Sequence, residues 1–123
     1  MELHEAWIFK ADHDFRSAEI LFANALNDTA IYHAQQCAEK SLKAYLVFKN
    51  VAIPKTHSLD KLLDLCKQQD GNFDKIDVQV FDLEGFDVRF RYPAQILEPL
   101  DEEVDEAIIS AEVIFEFVKE RCV

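Results

Sequence analysis

Five side chains of this sequence have types and spacing suited to holding a phosphorylated ligand. Lys40 and Lys43 stand three residues apart in Glu39-Lys40-Ser41-Leu42-Lys43-Ala44. On a helix that places both ammonium groups on one side, where each can meet a phosphate as a point charge. His57 lies in Thr56-His57-Ser58-Leu59 at the opening of a predicted helix, where free backbone N–H groups favour anions. Arg91 offers a planar guanidinium fork for phosphate oxygens, with Arg89 two residues before it. Tyr92 is held extended by Pro93 and can stack on a base or pack at an interface. Each also has a plainer reading. The lysines can be solvated or paired within their helix, as Glu39 with Lys43 at four residues. His57 can cap or pack, and Arg91 and Tyr92 can be structural loop or dimer residues.

Other chemistries are missing. The two glycines form neither a dinucleotide-binding nor a Walker-type phosphate loop, and no GxSxG or HExxH occurs. Cys37, Cys66 and Cys122 are isolated, which argues against a disulfide framework and against zinc. Cys37 and Cys66 fall on apolar helix faces and read as small buried hydrophobes. Cys122, near the chain end, reads as frayed or exposed. His4 and His13, nine apart, share no metal-ligand spacing. Asp101, Glu102, Glu103, Asp105 and Glu106 suit the positive end of a helix dipole and solubility, not a metal. No catalytic residue, metal or cofactor is called for.

These groups must be positioned by helices. With only 2 Gly and 3 Pro in 123 residues, long helices with short loops are expected. The first runs from about Leu3 to Ala25, with Trp7, Ala11, Phe15, Ala18 and Phe22 as its apolar stripe and Asp12, Asp14, Arg16 and Glu19 on its other faces. The second runs from about Thr29 to Lys49, with Asp28 able to accept from its first turn. It has two stripes: Ala34, Cys37 or Ala38, Leu42, Tyr45 and Phe48 are apolar, while His33, Gln36, Lys40 and Lys43 are polar. Pro54 breaks the connector that follows. Thr56 or Ser58 caps a third helix carrying Leu59, Leu62, Leu63 and Cys66 to about Gln69. Asp70-Gly71-Asn72 reads as a turn. Phe73 to Phe90 suits a helix through Ile76, Val80 and Leu83, although Asp77 to Leu83 also alternates in part as a strand would; no second strand is available to pair with it. The last helix spans about Pro99 to Arg121 through Val104, Ala107 or Ile108, Ala111, Ile114 or Phe115 and Val118. The fold class is all-α, one domain over residues 1–123 in an antiparallel bundle of four to five helices.

Composition narrows the partners. A formal net charge of -11 disfavours nonspecific binding to DNA or RNA. The apolar runs are too short to span a bilayer, and no signal-peptide pattern opens the chain, so a cytoplasmic location is expected. Phe9 and Tyr32 fall opposite the apolar stripes of their helices, which suits an interface if they do not pack under a loop.

The ordered set of Trp7 to Phe22, the Gln35-Gln36-Cys37-Ala38-Glu39-Lys40 helix, Thr56-His57-Ser58-Leu59, Arg91-Tyr92-Pro93 and the final helix resembles the HEPN domain, the higher-eukaryote and prokaryote nucleotide-binding fold. The resemblance spans nearly the whole chain. It implies a helical domain, often a homodimer, often encoded beside a minimal nucleotidyltransferase and sometimes part of a toxin–antitoxin pair. On this reading Lys40, Lys43, His57, Arg91 and Tyr92 are the nucleotide ligands. The family's metal-independent ribonucleases carry an Arg, four to six residues, then a His near the last helix. Here no histidine follows residue 57, so general acid–base cleavage lacks a partner there. The expectation is a non-catalytic nucleotide-binding or nucleotidyltransferase-associated module. The alternatives are a homodimeric interaction module without a small ligand and, third, a ribonuclease using His57 with Arg91.

Overall fold

The computed structural model describes residues 1–86 and 98–123. They form five α-helices: α1 (Leu3–Ala23), α2 (Asn27–Phe48), α3 (Leu59–Gln69), α4 (Asp77–Glu84) and α5 (Asp101–Arg121), with a 3-10 helix (Gly71–Ile76) leading into α4. There is no strand among the described residues. The predicted all-α bundle is therefore present, and the segment that also alternated as a strand is helical. No helix of the described residues is long and apolar enough to cross a membrane.

α1 and α2 form an antiparallel hairpin. The ring of His4 meets that of Phe48, the Lys43 ammonium lies over the Trp7 ring, and Asp14 meets His33, so the pairs run in opposite directions. α2 is the spine. Its apolar stripe is buried from Ala30 to Leu46, and α1, α3 and α5 pack around it. Phe73 joins the lower half of the core, 4.5 Å from the Tyr45 ring and 4.9 Å from the Phe117 ring between centroids.

α1 and α2 end in the same way. At the first end the Ala25 N–H reaches the Phe22 carbonyl and the Leu26 N–H reaches that of Leu21. At the second, Asn50 reaches Val47 and Val51 reaches Leu46. Both are the crossed hydrogen bonds that satisfy the free carbonyls of a last turn. They require a left-handed residue, here Ala25 at φ 60 and Asn50 at φ 59 rather than glycine.

Some boundaries differ from expectation. α2 begins at Asn27, not Thr29. Asp28 accepts from the Thr29 N–H at 2.8 Å within the first turn. Asn27 is buried and spans to α5, donating to the Pro99 carbonyl at 3.0 Å and to Asp101 at 2.9 Å. Ser58 is the cap of α3, accepting from the Lys61 N–H. The Asp70 carboxylate accepts from the Asn72 N–H and opens the 3-10 helix where a simple turn was predicted. Cys122, expected at the surface, is buried together with Cys37 and Cys66. The last turn of α5 stays docked because Arg121 lies 3.5 Å over the Phe117 ring and pairs with Asp70.

Candidate functional site

The polar stripe of α2 is half-buried along its length, because α1 covers one side of it and the loop before α3 the other. Two carboxylates organise it. The first is Asp14, 8% exposed, on the buried register of α1 between Ala11 and Ala18. One of its oxygens meets His33 Nδ1 at 2.8 Å, and the other accepts from Lys40 Nζ at 2.6 Å. The second is Glu39, 5% exposed, on α2 itself. It accepts from Lys43 Nζ at 2.8 Å and lies 3.3 Å from His57 Nδ1. Buried carboxylates are stable only when paired. Asp14 and Glu39 therefore fix the positions of His33, Lys40 and Lys43, and Glu39 also faces the exposed His57.

The predicted residues are only partly brought together. Lys43 and His57 share Glu39, while Lys40 belongs to the neighbouring Asp14–His33 group. Arg91 and Tyr92, like Arg89, lie outside the described residues. Metal ligation finds no support among the described residues, where no group of three or more His, Cys, Asp or Glu is placed to hold an ion.

The electrostatics qualify the anion-binding expectation. Two carboxylates and two ammonium groups cancel, so this face carries no excess positive charge unless an imidazole is protonated. What remains is a set of donors. Each ammonium has three N–H groups, and one of each is shown in use. Nδ1 of each imidazole faces a carboxylate, which leaves Nε2 turned the other way. The intrahelical Glu39–Lys43 pair anticipated as the plainer reading of Lys43 is present.

Sequence reasoning put Asp14 on the outer faces of α1, whereas it is buried, and it passed over Glu39 beyond its pairing with Lys43, and Gln35. The signal for Asp14 was its position, three residues after one buried alanine and four before another. Gln35 donates to the Leu83 carbonyl at 2.6 Å, closing the end of α4. Glu84 accepts from Ser58 Oγ at 3.1 Å and from the Leu59 N–H at 2.8 Å, so α4 holds the loop that carries His57.

The cysteines contribute no nucleophile. Burial pushes the Cys37 and Cys66 thiols up to about 12 and Cys122 to about 11, so all three stay protonated near neutrality. A cleft of about 760 Å³ lies elsewhere, between the start of α1 and the end of α5. Ile8, Phe9, Arg16, Phe115 and Lys119 line it, and it contains none of the predicted ligands.

Comparison with known proteins agrees with this architecture. The sequence profile of the HEPN domain matches residues 4–121. The crystal structure of TT1696 from Thermus thermophilus superposes with a TM-score of 0.81 at 26% identity, over 98% of each chain. The crystal structure of ST0689, described as an archaeal HEPN homologue, gives 0.77 at 23% identity over 100% of each chain. Comparison with curated proteins gives no match. With nearly its whole length matched by the profile, the chain belongs to the HEPN domain family.

Proposed function

We propose that this HEPN chain acts by binding rather than by cutting RNA, and that its ligand is a nucleotide or a related phosphate compound held on the polar face of α2. One observation carries this reading. His33, Lys40 and Lys43 are held on one half-buried face by two buried carboxylates, with the exposed His57 beside the second of them and donors to spare. From His33 to Lys43 the face runs about 15 Å along the helix, at 1.5 Å per residue. Its donors suit a small anion better than a polyanion, which the net charge of -11 repels. Arg91 and Tyr92 complete the proposed ligand set. Family membership supports a minimal nucleotidyltransferase as the protein served, in a toxin–antitoxin-like module.

A thermal-shift screen tests this against ATP, GTP, their monophosphates and short RNA, with and without magnesium. A ligand at a hundred times its dissociation constant adds about 2.7 kcal/mol to stability. We expect a selective shift that is lost in Lys43→Ala and Lys40→Ala, judged against each variant's own ligand-free midpoint. No shift with any nucleotide would overturn the nucleotide reading. RNA should remain intact in the same mixtures, and cleavage lost in His57→Ala would restore a nuclease.

A second reading, a homodimer with no small ligand, draws on Phe9 and Tyr32, exposed at 47% and 38%. Sedimentation of the wild type and of Phe9→Ser with Tyr32→Ser decides it. A dimer dissociated by the pair of substitutions supports it, and an unchanged state removes it.

A further inference from the structure

The outer surface of α4 and α5 differs in character from the α1–α2 face. Phe81 is 77% exposed, more than any other phenylalanine, tyrosine or tryptophan among the described residues. It borders a cleft of about 400 Å³ whose walls include Asp60 of α3, Asp82, Phe86 and Glu106 of α5. Val78, three residues before Phe81 on α4, is also exposed. From Glu106, the exposed Ile109 and Val113 follow at steps of three and four, which keeps them on the same side of α5. Phe73, on the 3-10 helix that leads into α4, meets the Phe117 ring farther along α5, so α4 and α5 run in opposite directions. Val78, Phe81, Ile109 and Val113 thus belong to one surface running from the cleft along the two helices.

The rim of that surface is acidic. Asp60, Asp82 and Glu106 form no ion pair with a lysine or arginine of the described residues. Glu102 and Asp105 extend the charge toward the start of α5, and Glu112 and Glu116 extend it along the far side. An apolar stripe that stays open to water is an interaction surface in search of a cover. A second copy of this chain is a poor cover. It would bring the same carboxylates face to face, on a molecule of net charge -11.

We infer that this face docks a separate protein through a helix whose apolar ridge is flanked by lysines or arginines. The ridge covers Val78, Phe81, Ile109 and Val113, and the flanking cations meet Asp60, Asp82 and Glu106. A cationic side chain entering the cleft beside Phe81 and Phe86 gains both a carboxylate and an aromatic face. The inference is independent of the nucleotide reading, since none of these residues belongs to the two carboxylate-centred groups of α2.

The test uses three synthetic twenty-residue peptides: a helix with a leucine stripe flanked by lysines, the same stripe flanked by glutamates, and a scrambled peptide with the composition of the first. Each is titrated into the intact, isotopically labelled protein and followed by amide resonances. The lysine-flanked helix should bind at least ten-fold more tightly than either control. Its shifts should centre on Val78, Phe81, Ile109 and Val113, and its affinity should fall as salt rises. Phe81→Ser and Val78→Ser should each weaken it several-fold while leaving the midpoint of thermal unfolding unchanged, because both residues are mostly exposed, at 77% and 67%. Equal binding of the scrambled peptide, shifts spread over the whole acidic surface, or no binding would overturn the inference. So would a wild-type dimer that Phe81→Asp turns into a monomer, which would assign the face to a second copy.

Discussion

At the scale of single residues, the two buried carboxylates depend on their cations more than the cations depend on them. Asp14 is buried, whereas Lys40 and His33 retain access to water. Removing the lysine leaves a buried carboxylate with one partner, while removing the carboxylate leaves groups that can turn to solvent. Lys40→Met should therefore cost about 2–3 kcal/mol of unfolding free energy and Asp14→Ala about 1 kcal/mol. Urea titration checks this, and a double-mutant cycle isolates the coupling. The thiols give a second prediction. Their folded values, about 11 to 12, exceed the ordinary 9.0, so above pH 9 the unfolded chain releases protons that the folded chain keeps. Stability must fall as pH rises from 9 toward 11, and Cys37→Ala with Cys66→Ala should flatten that limb in denaturant titrations. Of this chemistry, the lysines and His57 were legible as types at a spacing. Asp14 was not, because its partners lie 19 and 26 residues away and only the helix pairing brings them near.

At the scale of elements, the periodic stripes foretold the helices and their buried faces, since burial against a common core imposes the 3.6-residue repeat. The ends were harder to read. Ala25 takes a left-handed conformation that favours glycine, so nothing in its type marks the stop of α1. Ala25→Gly should relieve that strain and stabilise the protein by about 0.5–1 kcal/mol, raising the thermal midpoint by a few degrees. Ser58 announces itself by type as a cap. Ser58→Ala should cost about 1 kcal/mol, through the lost bond to the Lys61 N–H and the loosened tie to Glu84. The same substitution should increase amide exchange in the loop carrying His57 more than in α1. The 3-10 helix after Asp70 escaped prediction because its hydrogen bonds are local, and a Gly-Asn pair reads equally well as a turn.

At the scale of the whole molecule, a negatively charged bundle presents two unlike faces. The α1–α2 face balances its charges internally, and the α4–α5 face leaves its carboxylates unmatched beside an apolar stripe. On the proposed reading the balanced face takes a small anionic ligand through directed donors, and its affinity should depend on salt far less than that of a polycationic site. The most direct test is a titration of the isotopically labelled protein with ATP and GTP, following the side-chain resonances of His33, Lys40, Lys43 and His57. The account predicts saturable shifts at these four groups, reduced at least ten-fold in affinity by Lys43→Ala, with α4 and the outer side of α5 unmoved. Saturation with no change at those four side chains, or shifts only at the distant cleft of Phe9 and Phe115, would contradict it.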